Sequence, residues 1–192
     1  VNLMKTLILI LCLVLLSSCS QEPEVITGHF LIRDGVTYHQ DTDELVTGIV
    51  ESFHNNGQLM YKGTYKDGKE DGLYRSYHEN GQLWEKGNLK DGKEDGLRKT
   101  FHQNGQLDER GNYKDGKQDG LHESFYQNGL LRIKHNHKDG KADGLWEWFY
   151  GNGPLWIREN YKDGKKEGLR EMFDEEGKLT HTLEYKDGEL VE

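Results

Sequence analysis

The chain has 192 residues, 33% of them hydrophobic and 31% charged, with a formal net charge of −9. That composition excludes a thick globular core. The acidic balance excludes a counterion-releasing nucleic-acid surface and argues against attraction to anionic head groups.

In chain order, Met4-Lys5 is followed by an apolar run from Leu7 to Leu16 and then by Ser17-Ser18-Cys19-Ser20. One positive residue, a short apolar core and small residues read as a secretory signal over residues 1–18. The run is about half of the ~20 residues that span a bilayer as a helix. Val1-Asn2-Leu3 reads as a start-site artefact ahead of Met4. Leu16-Ser17-Ser18-Cys19 resembles the bacterial lipobox. That resemblance implies cleavage before Cys19, diacylglycerol on its thiol, and an extracytoplasmic protein anchored to a membrane of a bacterial envelope. The alternative is an ordinary signal peptide with an incidental Cys. Several acyl chains, at ~0.8 kcal/mol per buried CH₂, anchor stably where one does not. Residues 19–28 then form the lipidated Cys and a tether, polar from Ser20 to Glu24. Cys12 leaves with the signal, so an internal disulfide is not expected.

Residues 29–47 read as a degenerate hairpin cap containing Phe30-Leu31-Ile32-Arg33-Asp34-Gly35-Val36. From 48 to 192 the chain repeats itself. Lys-Asp-Gly begins at Lys66, Lys90, Lys114, Lys138, Lys162 and Lys186, a step of 24 residues in six copies. Asn-Gly begins at Asn56, Asn80, Asn104, Asn128 and Asn152, with Glu176-Gly177 in the sixth copy. A fixed period of this size marks units that bury their apolar faces only against their neighbours. Gly-containing turns between short alternating runs read as β-hairpins. The expected fold is all-β: an extended single-layer antiparallel meander of hairpins, with no helix apart from the signal segment.

Three-residue loops, Glu79-Asn80-Gly81 and Lys66-Asp67-Gly68, set apolar residues opposite one another. Tyr77 then faces Leu83, Tyr61 faces Leu73, Arg75 faces Glu85 and Lys99 faces Glu109. One face is expected to carry three columns: Leu59 to Leu179, Phe53 to Phe173, and Leu73 to Leu169, each at the repeat spacing. The sheet would curl over them as a thin core. A basic column, Lys62, Lys86, Arg110, Lys134 and Arg158, falls on the opposite face and reads as a solvated surface that blunts aggregation.

The segment Tyr61-Lys62-Gly63-Thr64-Tyr65-Lys66-Asp67-Gly68-Lys69-Glu70-Asp71-Gly72 resembles the MORN repeat. The repeat spacing and the Asn-Gly turn look more like its bacterial variant, and the resemblance covers roughly residues 45–190. It implies a non-catalytic extended sheet for protein contacts, self-association or lipid contact. Many bacterial proteins of this kind are described as antitoxins. The later copies depart from the pattern: Gly63, Gly87 and Gly111 become His135, Glu159 and Leu183. Tyr61 likewise becomes Glu85, Glu109, Ile133, Ile157 and His181, which weakens any carry-over of ligand binding.

No nucleophile elbow, phosphate loop or zinc-type spacing is present, so neither an enzyme nor a cofactor is expected. His54, His78 and His102 form a column, but equivalent positions lie two strands, ~9.6 Å, apart. A zinc ion holds its His nitrogens at ~2.0–2.1 Å, so these are surface His and no metal site is expected. His135 and His137 share a strand face and could form an adventitious pair. The Asp and Gly of Asp67-Gly68-Lys69-Glu70-Asp71-Gly72 are turn residues, with lysines working against calcium.

On the three-residue-loop register Trp148 faces Trp156, and Trp146 lies between Arg132 and Arg158, with Tyr150 extending the patch. This reads either as a partner-binding site or as a cross-strand ladder that only stabilises the sheet. The function expected is a lipid-anchored interaction or scaffold surface for an unknown protein partner or for self-association, joined to the membrane through Cys19. An antitoxin or immunity-type protein and an envelope glycan or lipid binder are the alternatives.

Overall fold

The computed structural model describes residues 24–27 and 29–191. The signal segment and Cys19 lie outside the described residues. Among the described residues the main sheet has 16 strands; from Gly48 to Leu190 they follow chain order in antiparallel pairs, with the short strands Lys93–Glu94 and Lys165–Lys166 pairing with the same neighbour as the strand after each. No helix occurs among the described residues. Within the stretch read as a tether, Val25–Ile26 joins the sheet edge, parallel to Ile49–Val50. Phe30–Arg33 and Val36–His39 form a separate two-stranded hairpin. It docks on the Asp67-Gly68 turn: Thr37 N–H donates to Gly68 O at 2.7 Å, and Gly68 N–H donates to O of Val46, beyond the hairpin, at 2.8 Å.

The two turn types differ, and this difference sets the register. At Glu79-Asn80-Gly81 the loop has three residues, as the sequence indicates. His78 N–H donates to Gln82 O at 2.8 Å, Gly81 takes a φ of 79°, and Tyr77 faces Leu83. At Asp67-Gly68 the loop has only two residues, and Lys66 faces Lys69. Both turn residues are left-handed, Asp67 at φ 49° and Gly68 at 78°, the geometry whose twist matches the flanking strands. The expected three-residue loop is therefore corrected here.

Bulges complete the correction. The ladder shifts between Gly63 and Tyr65, which sets Tyr61 opposite Ser76 rather than Leu73. It shifts again between Ser76 and Tyr77, so Ser76 faces Glu85, and Arg75 faces Lys86 rather than Glu85. Lys99 likewise faces Arg110, not Glu109. A one-residue shift turns a strand over, and the core lies beneath the other face from the one expected. Leu73 is 65% exposed, while its neighbour Tyr74 is 8% exposed. The buried face carries Tyr74, Thr100, His122, Ser124, Ile157 and Glu159, together with Gly63, Gly87 and Gly111.

Those glycines explain the choice of face. Rings fold flat over them, and a Cβ on Gly87 would lie 2.8 Å from the Tyr74 ring. On Gly111 it would lie 1.9 Å from His122 Nδ1. A single sheet curls most easily toward a face with little side-chain volume along its midline, which the Leu and Phe columns do not offer.

Successive copies are stitched along both margins. On the Asn-Gly side, Asn56 Nδ2 donates to Glu79 O at 2.8 Å and Asn128 Nδ2 to Gly151 O at 2.8 Å. The same Asn residues accept a turn N–H through Oδ1, as Asn128 does from Leu130 at 3.0 Å. On the Asp-Gly side the turn glycine donates to the preceding copy, as Gly92 N–H does to Glu70 O at 2.8 Å. Each bond satisfies a backbone group that a lone hairpin would leave to water.

Candidate interaction surface

A row of side chains runs along the buried face from the first copy to the last. Tyr61 donates its hydroxyl to Glu70, and Tyr74 donates to Glu85 at 2.9 Å. Glu85 also holds Arg98, whose guanidinium lies 5.9 Å from the centre of the Tyr113 ring. Beyond it come Tyr113, His122, His135 and Trp146, in ring contacts of 5.2, 5.5 and 4.3 Å. Trp146 meets Tyr161 at 5.1 Å, and Tyr161 donates to Glu159 at 2.7 Å. Glu159, 4% exposed, pairs with Lys166 at 3.2 Å. Arg170 Nε lies 3.4 Å from the same carboxylate, in ion-pair range without hydrogen-bond alignment.

Burial shapes the protonation of this row. It is the first cause raising the Tyr61 and Tyr74 hydroxyls, and the Glu70 and Glu85 carboxylates add to it. Tyr65 is pushed up to about 12, again chiefly by burial. Burial works against the Arg98 charge, but Glu85 outweighs it and holds the guanidinium protonated. His135 is lowered to about 4 by burial, then by its neighbours His137 and His122. His122 and His137 are lowered for the same first reason.

The His column has a structural use. His54 Nε2 lies 2.8 Å from Tyr77 O, and His102 Nε2 lies 3.1 Å from Phe125 O, so each links to the next copy. In the fourth and fifth copies Tyr126 and Tyr150 take that position and donate to Phe149 O and Phe173 O at 2.7 and 2.9 Å. His135 and His137 approach with Nδ1 atoms 3.2 Å apart. No group of three or more His, Cys, Asp or Glu converges on a metal-sized position among the described residues.

The register separates the residues expected to form one Trp patch. Trp148 faces Ile133 and Ile157 instead of Trp156, and Trp146 faces His135 and Glu159 instead of the arginines. Trp146 and Trp148 remain in contact, 5.6 Å apart, half-buried on the inner face. Trp156 pairs with Tyr150 at 5.8 Å and is 45% exposed. Arg132 donates through Nε to Ser124 Oγ at 3.2 Å. Arg158 lies on the other face, above the Phe173 ring and 2.8 Å from Glu171. The basic column thus shares its face with the Phe column, where opposite faces were expected. Lys86 lies 5.7 Å from the centre of the Phe101 ring, and Arg110 is 5.7 Å from that of Phe125.

A second feature escapes sequence reading. The bulge beside each Asn-Gly turn puts Met60, Trp84, Asp108, Arg132, Trp156 and Thr180 at equivalent positions. Trp84 is 48% exposed. With Met60, Tyr61, Tyr65, Tyr77 and His78 it lines an open groove of about 870 Å³. The signal was present as a column at the repeat spacing. Strict alternation makes it an ordinary outward position.

A single-layer sheet of short hairpins, stitched copy to copy along both margins, defines an open β-hairpin repeat protein. The MORN repeat variant matches residues 46–67, 70–91, 94–115, 142–163 and 166–187, and the chain belongs to that family. The interval between the third and fourth matches holds His122, His135 and His137. MORN repeats are a non-enzymatic repeat family, in general one of protein- or membrane-interaction repeats. Comparison with curated proteins gives no match.

Proposed function

We propose that this protein is a lipid-anchored, extracytoplasmic interaction module without catalytic activity, and that it presents the bulge-side surface to a protein partner. The observation that supports it most directly is the exposure of Met60, Trp84 and Trp156 along one margin of a sheet whose Tyr rings and other Trp rings are half-buried or covered. Large aromatic side chains left in water beside an open groove mark contact sites, because they bury much area at little entropic expense. Tyr150 borders the Trp156 end and Arg132 holds the equivalent position in the preceding copy, while Trp146 and Trp148 lie together on the inner row. Anchoring through Cys19 would hold this surface close to the membrane.

The test uses the full-length protein, solubilised in detergent from its own membranes. Wild type and Trp84→Ala/Trp156→Ala are first matched for sheet content by circular dichroism. Each is then cross-linked in the envelope and purified. A protein retained by wild type and lost by the variant supports the reading; identical retention by both refutes the surface. A toxin as that partner would make the module an immunity protein. Tryptophan quenching by purified envelope sugars, with no protein retained, would make it a glycan binder. Cys19→Ala is expected to move the protein out of the membrane fraction and to abolish fatty-acid labelling.

A further inference from the structure

The face opposite the aromatic row carries one line of side chains across the whole sheet. Paired strand by strand, it reads Glu51, Lys62, Arg75, Lys86, Lys99, Arg110, Glu123, Lys134, Glu147, Arg158 and Glu171. In the later copies the charges alternate, and neighbours form ion pairs, such as Lys134–Glu147 at 4.0 Å and Arg158–Glu171 at 2.8 Å. Between Lys62 and Arg110 they do not alternate: five cations stand directly opposite one another on adjacent strands. Only the two ends are paired, Lys62 with Glu51 at 2.7 Å and Arg110 with Glu123. Arg75, Lys86 and Lys99 form no ion pair among the described residues.

The repeat supplies its own comparison. The position held by Arg75 and Lys99 is Glu in the other four copies: Glu51, Glu123, Glu147 and Glu171. The opposing position stays basic in five copies. Two adjacent copies have therefore exchanged a stabilising cross-strand pair for like-charge contacts, which destabilise a sheet. In a chain of net charge −9, folding alone does not call for this concentration of positive charge.

We infer that the ladder from Lys62 to Arg110 is a docking site for an acidic amphipathic helix of a protein partner, laid across the strands. Strands are ~4.8 Å apart, close to the 5.4 Å of one helical turn, so acids at i, i+4, i+7 and i+11 follow the cations. An extended segment with acids at alternate positions would step by ~6.6–6.8 Å and fall out of register. Leu73 and Leu97 stand two residues from Arg75 and Lys99 on the same face, exposed. They are two strands apart, ~9.6 Å, which suits apolar residues seven apart on a helix, ~10.5 Å. Leu73, Arg75, Lys86, Leu97 and Lys99, with Asp95 at the margin, enclose a groove of about 570 Å³. A second copy does not fit as the occupant, since the described residues contain no helix. A narrow ligand touches only the cations, whereas a broad anionic surface also meets the acidic remainder.

The test uses full-length protein in neutral detergent and a fluorescein-labelled 18-residue peptide, with Glu on one helical stripe and Leu at seven-residue spacing beside it. A scrambled peptide of the same composition, polyphosphate and phosphatidylglycerol vesicles serve as the other probes. The variant is Arg75→Glu/Lys99→Glu, which restores the residue of the other copies and is expected to raise the melting temperature. Loss of binding in a more stable protein cannot be misfolding. Wild type is expected to bind the helix, more weakly as salt rises, and the variant to bind about tenfold or more weakly. The inference is overturned by equal binding of wild type and variant, by equal binding of the scrambled peptide, or by no binding of the helix. Tighter binding of polyphosphate or vesicles, lost in the same variant, overturns the helix in favour of a polyanion.

Discussion

Acidification is expected to loosen the fourth and fifth copies before the others, because His135 is folded in its neutral form. Its ring is stacked on Trp146 at 4.3 Å and touches those of His137 and His122 at 4.9 and 5.5 Å. Glu109 favours the His122 charge and Arg98 opposes it, while burial lowers all three imidazoles. The sign follows from the depressed value. Between 6.5 and about 4 the unfolded chain binds a proton at His135 that the folded chain does not. The stability this residue contributes is complete above pH 6.5 and falls away as the pH drops toward 4. Between about pH 7.5 and pH 5 the full shift would remove about 2 kcal/mol, and partial exposure reduces this to about 1 kcal/mol. A chain of this length would then melt about 2–4 °C lower. The assay is urea unfolding followed by Trp fluorescence at each pH. His135→Leu, which places the residue of the sixth copy there, is expected to make the pH slope shallower, with His122 and His137 supplying what remains. Equal slopes for wild type and His135→Leu would refute the reasoning.

Gly111→Ala is expected to destabilise by about 1–3 kcal/mol through overpacking, since its Cβ would lie 1.9 Å from His122 Nδ1. Gly105→Ala gives a contrast: its φ of 81° strains the turn, but the nearest atom is Gln82 Oε1 of the preceding copy at 3.7 Å, so the added methyl meets no ring. Urea midpoints of the two variants, with near-ultraviolet circular dichroism for ring packing, check this; an undisturbed aromatic signal in Gly111→Ala would contradict it. Glu159→Ala leaves Lys166 and Arg170 facing each other without their carboxylate. A loss of about 2–4 kcal/mol is expected, and it is read from the same unfolding curves.

The repeat period, the strands and the turn positions were legible because they depend on local chemistry. Asp67-Gly68 and Glu79-Asn80-Gly81 are turns wherever they occur, since few other residues accept left-handed backbone. The candidate site was legible only in parts. Trp156 and Tyr150 do meet near an Asn-Gly turn, but Trp146 joins a histidine row and Arg158 joins the opposite face. The open groove at Met60 and Trp84 is not legible in the sequence, because it depends on a bulge that alternation does not reveal.

The sequence by itself determined that this chain is a row of β-hairpins, where they turn, and that it belongs to the MORN repeat variant family. Tertiary structure alone decided which face is inside. Two-residue Asp-Gly loops and one bulge per Asn-Gly hairpin each shift the pairing, and a shift of one residue exchanges the faces of a strand. The sheet then curls toward the glycine midline, where rings can lie flat, and leaves Leu73 in water and the Lys62–Arg110 cations, exposed or half-exposed, on the open face. Local preference fixes where a strand begins and ends, but the energy that separates the two faces comes from packing between copies.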